Sequence, residues 1–272
     1  MPASIYPSCA DATHHVSALY PVFVFEALMT NNTSHLGGNT MRLFVLGATG
    51  RTGVELLDLA LARGHAVTAF VRSPRKIMRR DERLAVVEGR VDETRPMAAA
   101  MTRHDAVVSV LGPTPWQAIG GGTTLMRDST TTVLSAMEQA GVKRFLVVSS
   151  ALLFPGGGPG VAFFRSLISH HVRDLRAMEL AIEKSAVDWT IARPPRLVMT
   201  RNEAFAAAES SFPGRLTAGI SMSWRAVAAY LVNALEQRLH SHRVIGLSRV
   251  LDDSKNRVAA PGLQGHIGPV RR

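Results

Sequence analysis

The stretch MRLFVLGATGRTG, residues 41–53, decides the fold that this sequence predicts. Its apolar run ends at Gly47, and two more glycines, Gly50 and Gly53, follow at three-residue steps. The apolar run predicts a buried strand, and the residues after it predict a helix over 51–63. A strand, a glycine-rich turn and a helix in this order are typical of a site for a phosphate group.

The rest of the chain alternates between strand and helix patterns. Further strands are predicted at 66–72, 83–89, 105–112, 144–150, 187–194 and 243–248, and helices at 123–140, 164–185 and 224–237. In the first helix, Val54, Leu57 and Leu61 are predicted to share one buried face. Alternating strands and helices imply a parallel sheet covered on both faces, and a doubly wound α/β fold is the simplest such architecture.

Each glycine of the turn has a steric reason to be there. Gly47 permits a tight turn off the strand, Gly50 lets the backbone approach a pyrophosphate, and Gly53 lets the helix pack closely. Thr49 and Thr52 add hydroxyl donors. A tight turn without a ligand is the alternative, and the glycines and threonines together favour a dinucleotide.

The end of the second predicted strand indicates which dinucleotide. An acidic residue about 20 positions after the turn commonly holds a free ribose 2′-hydroxyl. Here Arg72 has that place, followed by Ser73. A guanidinium group suits a 2′-phosphate by charge and by its forked donors, so the sequence predicts NADP(H) in preference to NAD(H). A solvated basic loop is the alternative. We assign Arg51, within the turn, to the same cofactor-binding set.

Composition narrows the partners. The net charge is +10, but only the segment 72–80 is densely basic and no aromatic residues alternate with it, so nucleic acid is not expected. The apolar run 17–29 is too short to span a bilayer, so no membrane partner is expected. Cys9 is the only cysteine, which predicts a reducing, cytoplasmic compartment. No metal-ligand spacing is present, so no metal site is predicted.

The two ends differ from the middle of the chain. Residues 1–40 are predicted to be an extension that is disordered or loosely docked, or to precede a true start at Met41. Residues 41–250 form the single predicted domain. Residues 251–272 are rich in glycine, proline and arginine and are predicted to be a disordered basic tail.

Several motifs together resemble a known family. The segments GATGRTG, FVRSPRK, VVSVLG, FLVVSSA and VDWTIARPPRL occur in this order between Met41 and Ser248. They resemble the atypical branch of the short-chain dehydrogenase/reductase superfamily, in particular NAD(P)H-binding proteins of the biliverdin-IXβ reductase/flavin reductase type. The resemblance implies a Rossmann-type NAD(P)-binding fold and an NAD(P)H-dependent reductase activity.

The resemblance also implies roles for residues at three loops. Leu111 and Gly112, after the fourth strand, are expected to pass along the cofactor. Ser150, beside Ser149 after the fifth strand, is expected to face the nicotinamide, and we take both serines as catalytic candidates. Pro194, after the sixth strand, is expected to border the cofactor.

The substrate pocket is predicted less sharply. The resemblance implies that Arg196, in the same loop as Pro194, borders the substrate pocket. Trp116 could offer an aromatic wall to a planar acceptor, although simple packing explains Trp116 equally well. The glycine-rich loop 154–160 is predicted to be flexible and to act as a lid.

One departure from the superfamily limits the chemistry. Many of its members donate a proton from a Tyr-x-x-x-Lys pair, but no lysine stands four residues after Tyr6, Tyr20 or Tyr230. His170 and His171 could supply a proton, although an exposed helix face is the favoured interpretation. A flavin or another conjugated acceptor takes hydride without a positioned acid. The sequence therefore predicts an NADPH-dependent oxidoreductase acting on a flavin-like or other small conjugated acceptor, with a non-catalytic NADP(H)-sensing regulator as the alternative.

Overall fold

The computed structural model of the chain describes residues 40–114, 117, 124–217 and 219–250. Residues 1–39 of the predicted extension, the predicted tail from 251 onward and Trp116 lie outside the described residues. The predictions made for these segments are therefore not tested by the structure.

Within the described residues, eight strands form the central sheet, and two short strands form a separate small sheet. The ten strands are β1 Arg42–Leu46, β2 Ala66–Val71, β3 Leu84–Glu88, β4 Ala106–Ser109, β5 Arg144–Val148, β6 Asp188–Arg193, β7 Arg196–Val198, β8 Ala206–Glu209, β9 Ser221–Ser223 and β10 Arg243–Ser248. Residues 43–46 of β1 are fully buried, as expected for a strand covered on both faces.

The order of strands in the central sheet is β3-β2-β1-β4-β5-β6-β10-β8. Every neighbouring pair is parallel except β10 and β8, which are antiparallel. The chain builds outward from β1 to β3 on one side and then from β4 to β10 on the other. The direction of winding therefore reverses between β1 and β4, and ligands of such sheets bind at the carboxyl ends of the strands beside that point.

Helices cover both faces of the sheet, and the predicted doubly wound α/β architecture is confirmed. The helices of the described residues are α1 Arg51–Ala62, α2 Thr94–Met101, α3 Leu125–Ala140, α4 Gly158–Leu167, α5 Ser169–Glu183 and α6 Trp224–Glu236. Helices α1 and α6 pack on one face, and α2, α3 and α5 on the other. Among the described residues, no helix is long and apolar enough to cross a membrane.

The predicted apolar face of α1 is wrong at one residue. Leu57 and Leu61 are buried as expected, but the side chain of Val54 is 47% exposed. The buried stripe also includes Leu56 and Ala60, which places its centre about one helical position away from Val54. The packing of α1 against both the sheet and α6 widens this stripe on the side opposite Val54.

The predicted helix over 164–185 is two helices in the structure. Helix α4 ends at Leu167, and α5 begins at Ser169 after a non-helical Ile168 with φ −112° and ψ 33°. The two helices pack on different surfaces: Val161 of α4 belongs to a small cluster with Phe154, whereas α5 packs against α3 and the main sheet. The chain bends because one straight helix cannot reach both surfaces.

Candidate functional site

The glycine turn between β1 and α1 is packed against the end of β4. Gly47 has φ +83°, in the left-handed region that favours glycine. A Cβ atom built on Gly47 would lie 2.7 Å from the carbonyl carbon of Val110 and 2.9 Å from the amide nitrogen of Leu111. Any side chain at Gly47 is therefore excluded both by backbone conformation and by space.

Gly53 and Gly50 differ in what surrounds them. A Cβ atom on Gly53 would overlap the backbone of the turn at Gly47 and Ala48, so Gly53 is required for close packing of α1 on the turn. A Cβ atom on Gly50 would have one neighbour within 4 Å, the carbonyl oxygen of Gly47 at 3.2 Å, and would otherwise point into open space. The 3.2 Å contact is tight but is relieved by a shift of a few tenths of an ångström, so the fold restricts Gly50 far less than Gly47 or Gly53. The open space on its outer side is what a pyrophosphate lying against the backbone needs.

The first turn of α1 carries a partial positive charge that no side chain neutralises. Gly50 is its N-cap residue, with no side-chain capping bond and no acidic residue in the first turn. The backbone N–H groups of this turn are available to an anion. Thr49 is exposed and Thr52 half-buried, beside this helix end. The guanidinium carbon of Arg51 lies 4.6 Å from the centre of the Trp224 ring, which fixes the direction of the Arg51 side chain.

Arg72 lies at the carboxyl end of β2, the strand next to β1 in the sheet. Leu46 of β1 is paired with Phe70 of β2, so Arg72 stands two residues beyond the last paired position, on the same edge as the turn. Arg72 and Ser73 are both exposed, and the Arg72 side chain makes no hydrogen bond or ion pair with any other described residue. A short 3₁₀ turn begins immediately afterwards, in which the Lys76 N–H donates to the Ser73 carbonyl oxygen at 3.1 Å.

The loop after β4 also borders the turn. Leu111 is half-buried and packs on the cluster beneath α2, α3 and α5. Gly112 is exposed, and a Cβ atom built on it would meet no described atom within 4 Å. The described residues therefore give no steric reason for glycine at 112.

The two serines after β5 have different surroundings. The Ser149 N–H donates to the carbonyl oxygen of Ala192 at 2.7 Å, whereas the buried Ser149 Oγ has no hydrogen-bond partner among the described residues. Ser150 Oγ accepts a hydrogen bond from the Leu152 N–H at 3.2 Å and so caps the 3₁₀ turn over 151–153. Both serines follow a parallel strand adjacent to β4, at the carboxyl edge of the sheet.

The loop after β6 contacts the segment that carries these serines through Pro194. The buried Pro194 accepts a hydrogen bond from the Ala151 N–H at 2.8 Å, which connects the ends of β5 and β6. Arg196 is exposed and begins β7, which pairs with β9 in the separate small sheet. The structure therefore brings Pro194 to the serines, and gives no contact between them and Arg196.

An ion pair that was not anticipated lies beneath this edge. Arg193, the last residue of β6, donates to both carboxylate oxygens of Glu179, with distances of 3.0 and 2.5 Å. The side chains are 15% and 5% exposed. The Arg193 guanidinium carbon also lies 4.7 Å from the centre of the Phe154 ring. The available signal was an arginine directly after the apolar pair Ile191-Ala192 at the end of the strand.

Helix α5 uses its acidic residues for structure. Both carboxylate oxygens of the buried Asp174 accept hydrogen bonds, from the N–H groups of Met126 and Arg127 at 3.0 Å each, and so cap the start of α3.

His171, one turn before Asp174 in α5, is half-buried, and its Nδ1 atom has no partner among the described residues. Burial lowers the pKa of His171 below its ordinary value, although Asp174 acts in the opposite direction. The expectation of an exposed face holds for His170 and is wrong for His171.

Tyr230 has no role at this edge. It is buried in α6, and its hydroxyl is 3.0 Å from Nδ1 of His240 in a separate polar cluster. Burial raises the pKa of Tyr230 well above its usual range, so this phenol does not exchange protons near neutral pH.

Comparisons with known proteins agree with this geometry. The sequence matches the model of a family described as NAD(P)H-binding over residues 47–238. It is 31% identical over 226 residues to an uncharacterized chloroplastic protein of Arabidopsis thaliana, covering 76% of this chain and 76% of that protein.

Solved structures share the fold. An oxidoreductase, ylbE, from Lactococcus lactis is 22% identical with a TM-score of 0.65, covering 77% of this chain and 91% of that one. A short-chain dehydrogenase/reductase of Veillonella parvula in complex with NADP is 20% identical with a TM-score of 0.62, covering 78% and 95%. The predicted resemblance is confirmed for the NAD(P)H-binding family, whereas the flavin reductase type stays a prediction. From the family match over the turn and the sheet around it, this chain belongs to the NAD(P)H-binding family.

Proposed function

We propose that this protein is an NADPH-dependent oxidoreductase that transfers hydride to a flavin-like or other small conjugated acceptor. The observation that carries the proposal is the difference between Gly50 and its neighbours in the turn. Gly47 and Gly53 are required by the packing of the protein, whereas Gly50 leaves space on its outer side. That space lies at the uncapped first turn of α1, where a pyrophosphate would accept backbone hydrogen bonds.

The preference for NADPH rests on Arg72. Its exposed guanidinium stands beyond the end of β2 and has no partner among the described residues. A 2′-phosphate at this position would gain a charge-assisted hydrogen bond, whereas a 2′-hydroxyl would gain little. Ser73 would add a hydroxyl donor.

The choice of acceptor follows from the proton donors at the carboxyl edge of the sheet. The bound nicotinamide would supply the hydride. Ser149 and Ser150 are the hydroxyl groups beside the end of β5, and Tyr230 is buried elsewhere. Serine hydroxyls can orient an acceptor or a carboxamide, but they are weak acids. We therefore favour a conjugated acceptor, whose reduced form takes its proton from water.

Two measurements test this proposal. Fluorescence titration gives the dissociation constants of NADPH and NADH, and we expect tighter binding of NADPH. Steady-state oxidation of NADPH with free flavin mononucleotide (FMN) as acceptor gives turnover, with the Gly50→Val variant as a control that lacks the cofactor site. Tight NADPH binding with no reduction of FMN or other conjugated acceptors would contradict an oxidoreductase.

A regulatory protein that senses NADP(H) is the second candidate, because of one surface feature. Helix α4 buries only Val161, while Phe163 is 66% exposed and Phe164 and Leu167 are also exposed. Contiguous apolar surface of this kind is typical of protein interaction sites. A sensor would bind NADPH without turnover, so the acceptor assay separates the two candidates.

A further inference from the structure

A cavity of about 700 Å³ lies beside the carboxyl end of β5, between the segments 154–160 and 210–217. Its volume is within the range of roughly 300–1,000 Å³ that is usual for small-molecule sites. The cavity begins four residues after Ser150, and Phe154 forms part of its wall. Ala151, in the same short segment, belongs to the cluster of buried residues beneath it.

One wall of the cavity is aromatic and apolar. Phe154, Phe212 and Leu216 line it, and the two rings have centres 6.5 Å apart and planes at 60°. Phe212 is half-buried, whereas Phe154 and Leu216 are only 4% and 9% exposed. Phe212 is therefore the ring that a planar conjugated molecule would contact, because aromatic rings pack well against its faces and edges. The Arg193 guanidinium lies over the Phe154 ring, and the charge of Arg193 is balanced by Glu179.

The same wall is fixed by Arg165 of α4. Its guanidinium group donates to the carbonyl oxygens of Leu152 and Gly156, each at 2.7 Å, and also to that of Phe154. Three bonds from one side chain hold the segment 152–156 against the helix. These bonds join the first part of the predicted lid, 154–160, to α4, and residues 158–160 form the first turn of that helix. The flexibility of the segment stays a prediction.

The charge of the cavity lining is positive. Arg215 is the one charged residue among the described residues that line it. Its side chain makes no hydrogen bond or ion pair with any other described residue. The rest of the polar lining is neutral and includes Ser211 and Thr217. A negatively charged group entering the cavity would meet an arginine that has no competing carboxylate.

We propose that this cavity is the acceptor site, and that Arg215 selects an acceptor that combines a planar conjugated body with an anionic group. The proposal rests on the proposed function, because it names the class of acceptor. The aromatic wall would bind the conjugated body, and the guanidinium would bind a phosphate or carboxylate. Arg215 acts here as a binding residue and takes no part in hydride transfer.

The experiment compares two flavins that share the same ring system. FMN carries a phosphate and riboflavin does not, so their difference isolates the anionic group. We expect a lower KM for FMN than for riboflavin with the wild-type protein and NADPH. Arg215→Gln should raise the KM for FMN by roughly tenfold or more, as expected for the loss of a charge-assisted hydrogen bond, and leave the KM for riboflavin unchanged.

Arg201→Gln is the matched control, because Arg201 is exposed, lies outside the cavity lining and has no partner among the described residues. It should leave both KM values unchanged. Equal KM values for the two flavins in the wild type, or equal effects of Arg215→Gln on both, would overturn the proposal.

Failure of the proposed function is recognised separately. If wild-type protein reduces neither flavin, fluorescence titration of both flavins into the NADP⁺-bound protein still measures anion selection. Tighter binding of FMN that Arg215→Gln abolishes supports the cavity assignment in a protein without turnover. Equal binding of FMN and riboflavin, or no binding of either, overturns it.

Discussion

The guanidinium group of Arg193 lies over the face of the Phe154 ring, with its central carbon 4.7 Å from the ring centre. The contact joins the last residue of β6 to the wall of the cavity after β5. Glu179 of α5 accepts hydrogen bonds from two nitrogen atoms of the same guanidinium and balances its charge. A side chain of the sheet, one of a helix and one of a loop are thereby held in one arrangement at the carboxyl edge.

Glu179→Gln should destabilise the fold strongly. The substitution leaves the mostly buried Arg193 without its counter-charge, and breaking a buried ion pair from one side costs about 3–5 kcal/mol. Urea unfolding should show a free energy of unfolding lower by about 3 kcal/mol, since glutamine keeps part of the hydrogen bonding. Glu183→Gln, an exposed residue of the same helix, should change little. Equal stability of the two variants would contradict the role of this pair.

Two glycine substitutions in the turn should fail in different ways. Gly50→Val should lower the melting temperature only slightly, because its Cβ makes one tight contact, 3.2 Å from the Gly47 carbonyl oxygen, and otherwise has open space. It should lose NADPH binding, because its side chain fills the place of the pyrophosphate. Gly53→Ala should lower the melting temperature, because its Cβ overlaps the backbone at Gly47 and Ala48. Thermal unfolding and NADPH titration together check this. If Gly50→Val binds NADPH normally, the turn is not the cofactor site.

Arg72→Asp should change the choice between cofactors. A carboxylate beside the 2′-phosphate removes a charge-assisted hydrogen bond of about 1.5–3 kcal/mol, so NADPH affinity should fall by roughly one to two decades. NADH affinity should change far less. Arg80→Asp is the control, since Arg80 is exposed and has no partner among the described residues. Equal losses for NADPH and NADH in Arg72→Asp would remove Arg72 from this role.

The two serines after β5 should respond differently to alanine. Ser149→Ala removes a buried hydroxyl without a partner among the described residues, so the cofactor-free protein should be no less stable than the wild type. Ser150→Ala removes the acceptor for the Leu152 N–H and should cost about 1 kcal/mol of stability.

Ser150→Ala should also reduce kcat/KM by about tenfold, because Ser150 is proposed to orient the acceptor or the carboxamide. NADPH affinity should be nearly unchanged. Steady-state kinetics beside urea unfolding separates the effect on turnover from the effect on folding. Complete loss of turnover in Ser150→Ala would instead indicate an obligatory proton donor and a carbonyl substrate.

His171 should make folding stability depend on pH. Burial lowers the pKa of His171 below its ordinary value of 6.5, so in the unfolded chain this histidine binds a proton at a higher pH than in the folded protein. Stability should therefore be full above about pH 6.5 and fall as the pH drops from there toward the lowered pKa. His171→Gln should reduce this slope in urea unfolding at several pH values, and His170→Gln, at an exposed position, is the control. An unchanged slope in His171→Gln would show that other groups cause it.

The sequence by itself determined the features that depend on neighbouring residues. The order of β1, the turn and α1 could be predicted because an apolar run, a glycine with positive φ and a helical period are all local patterns. Arg72 could be located after β2 for the same reason, since it directly follows a strand. The doubly wound sheet followed from the alternation of strands and helices, because right-handed parallel connections leave few other arrangements.

Only the tertiary structure decided which distant side chains meet. Glu179 and Arg193 are 14 residues apart, and Asp174 is 48 residues from Met126, so no local pattern indicates that they pair. The bend at Ile168 likewise depends on the two surfaces that α4 and α5 cover. The cavity depends on Arg215 approaching a loop 55 or more residues earlier in the chain. Such contacts are set by how helices and loops pack on the sheet, because charge and burial select partners in space rather than in sequence.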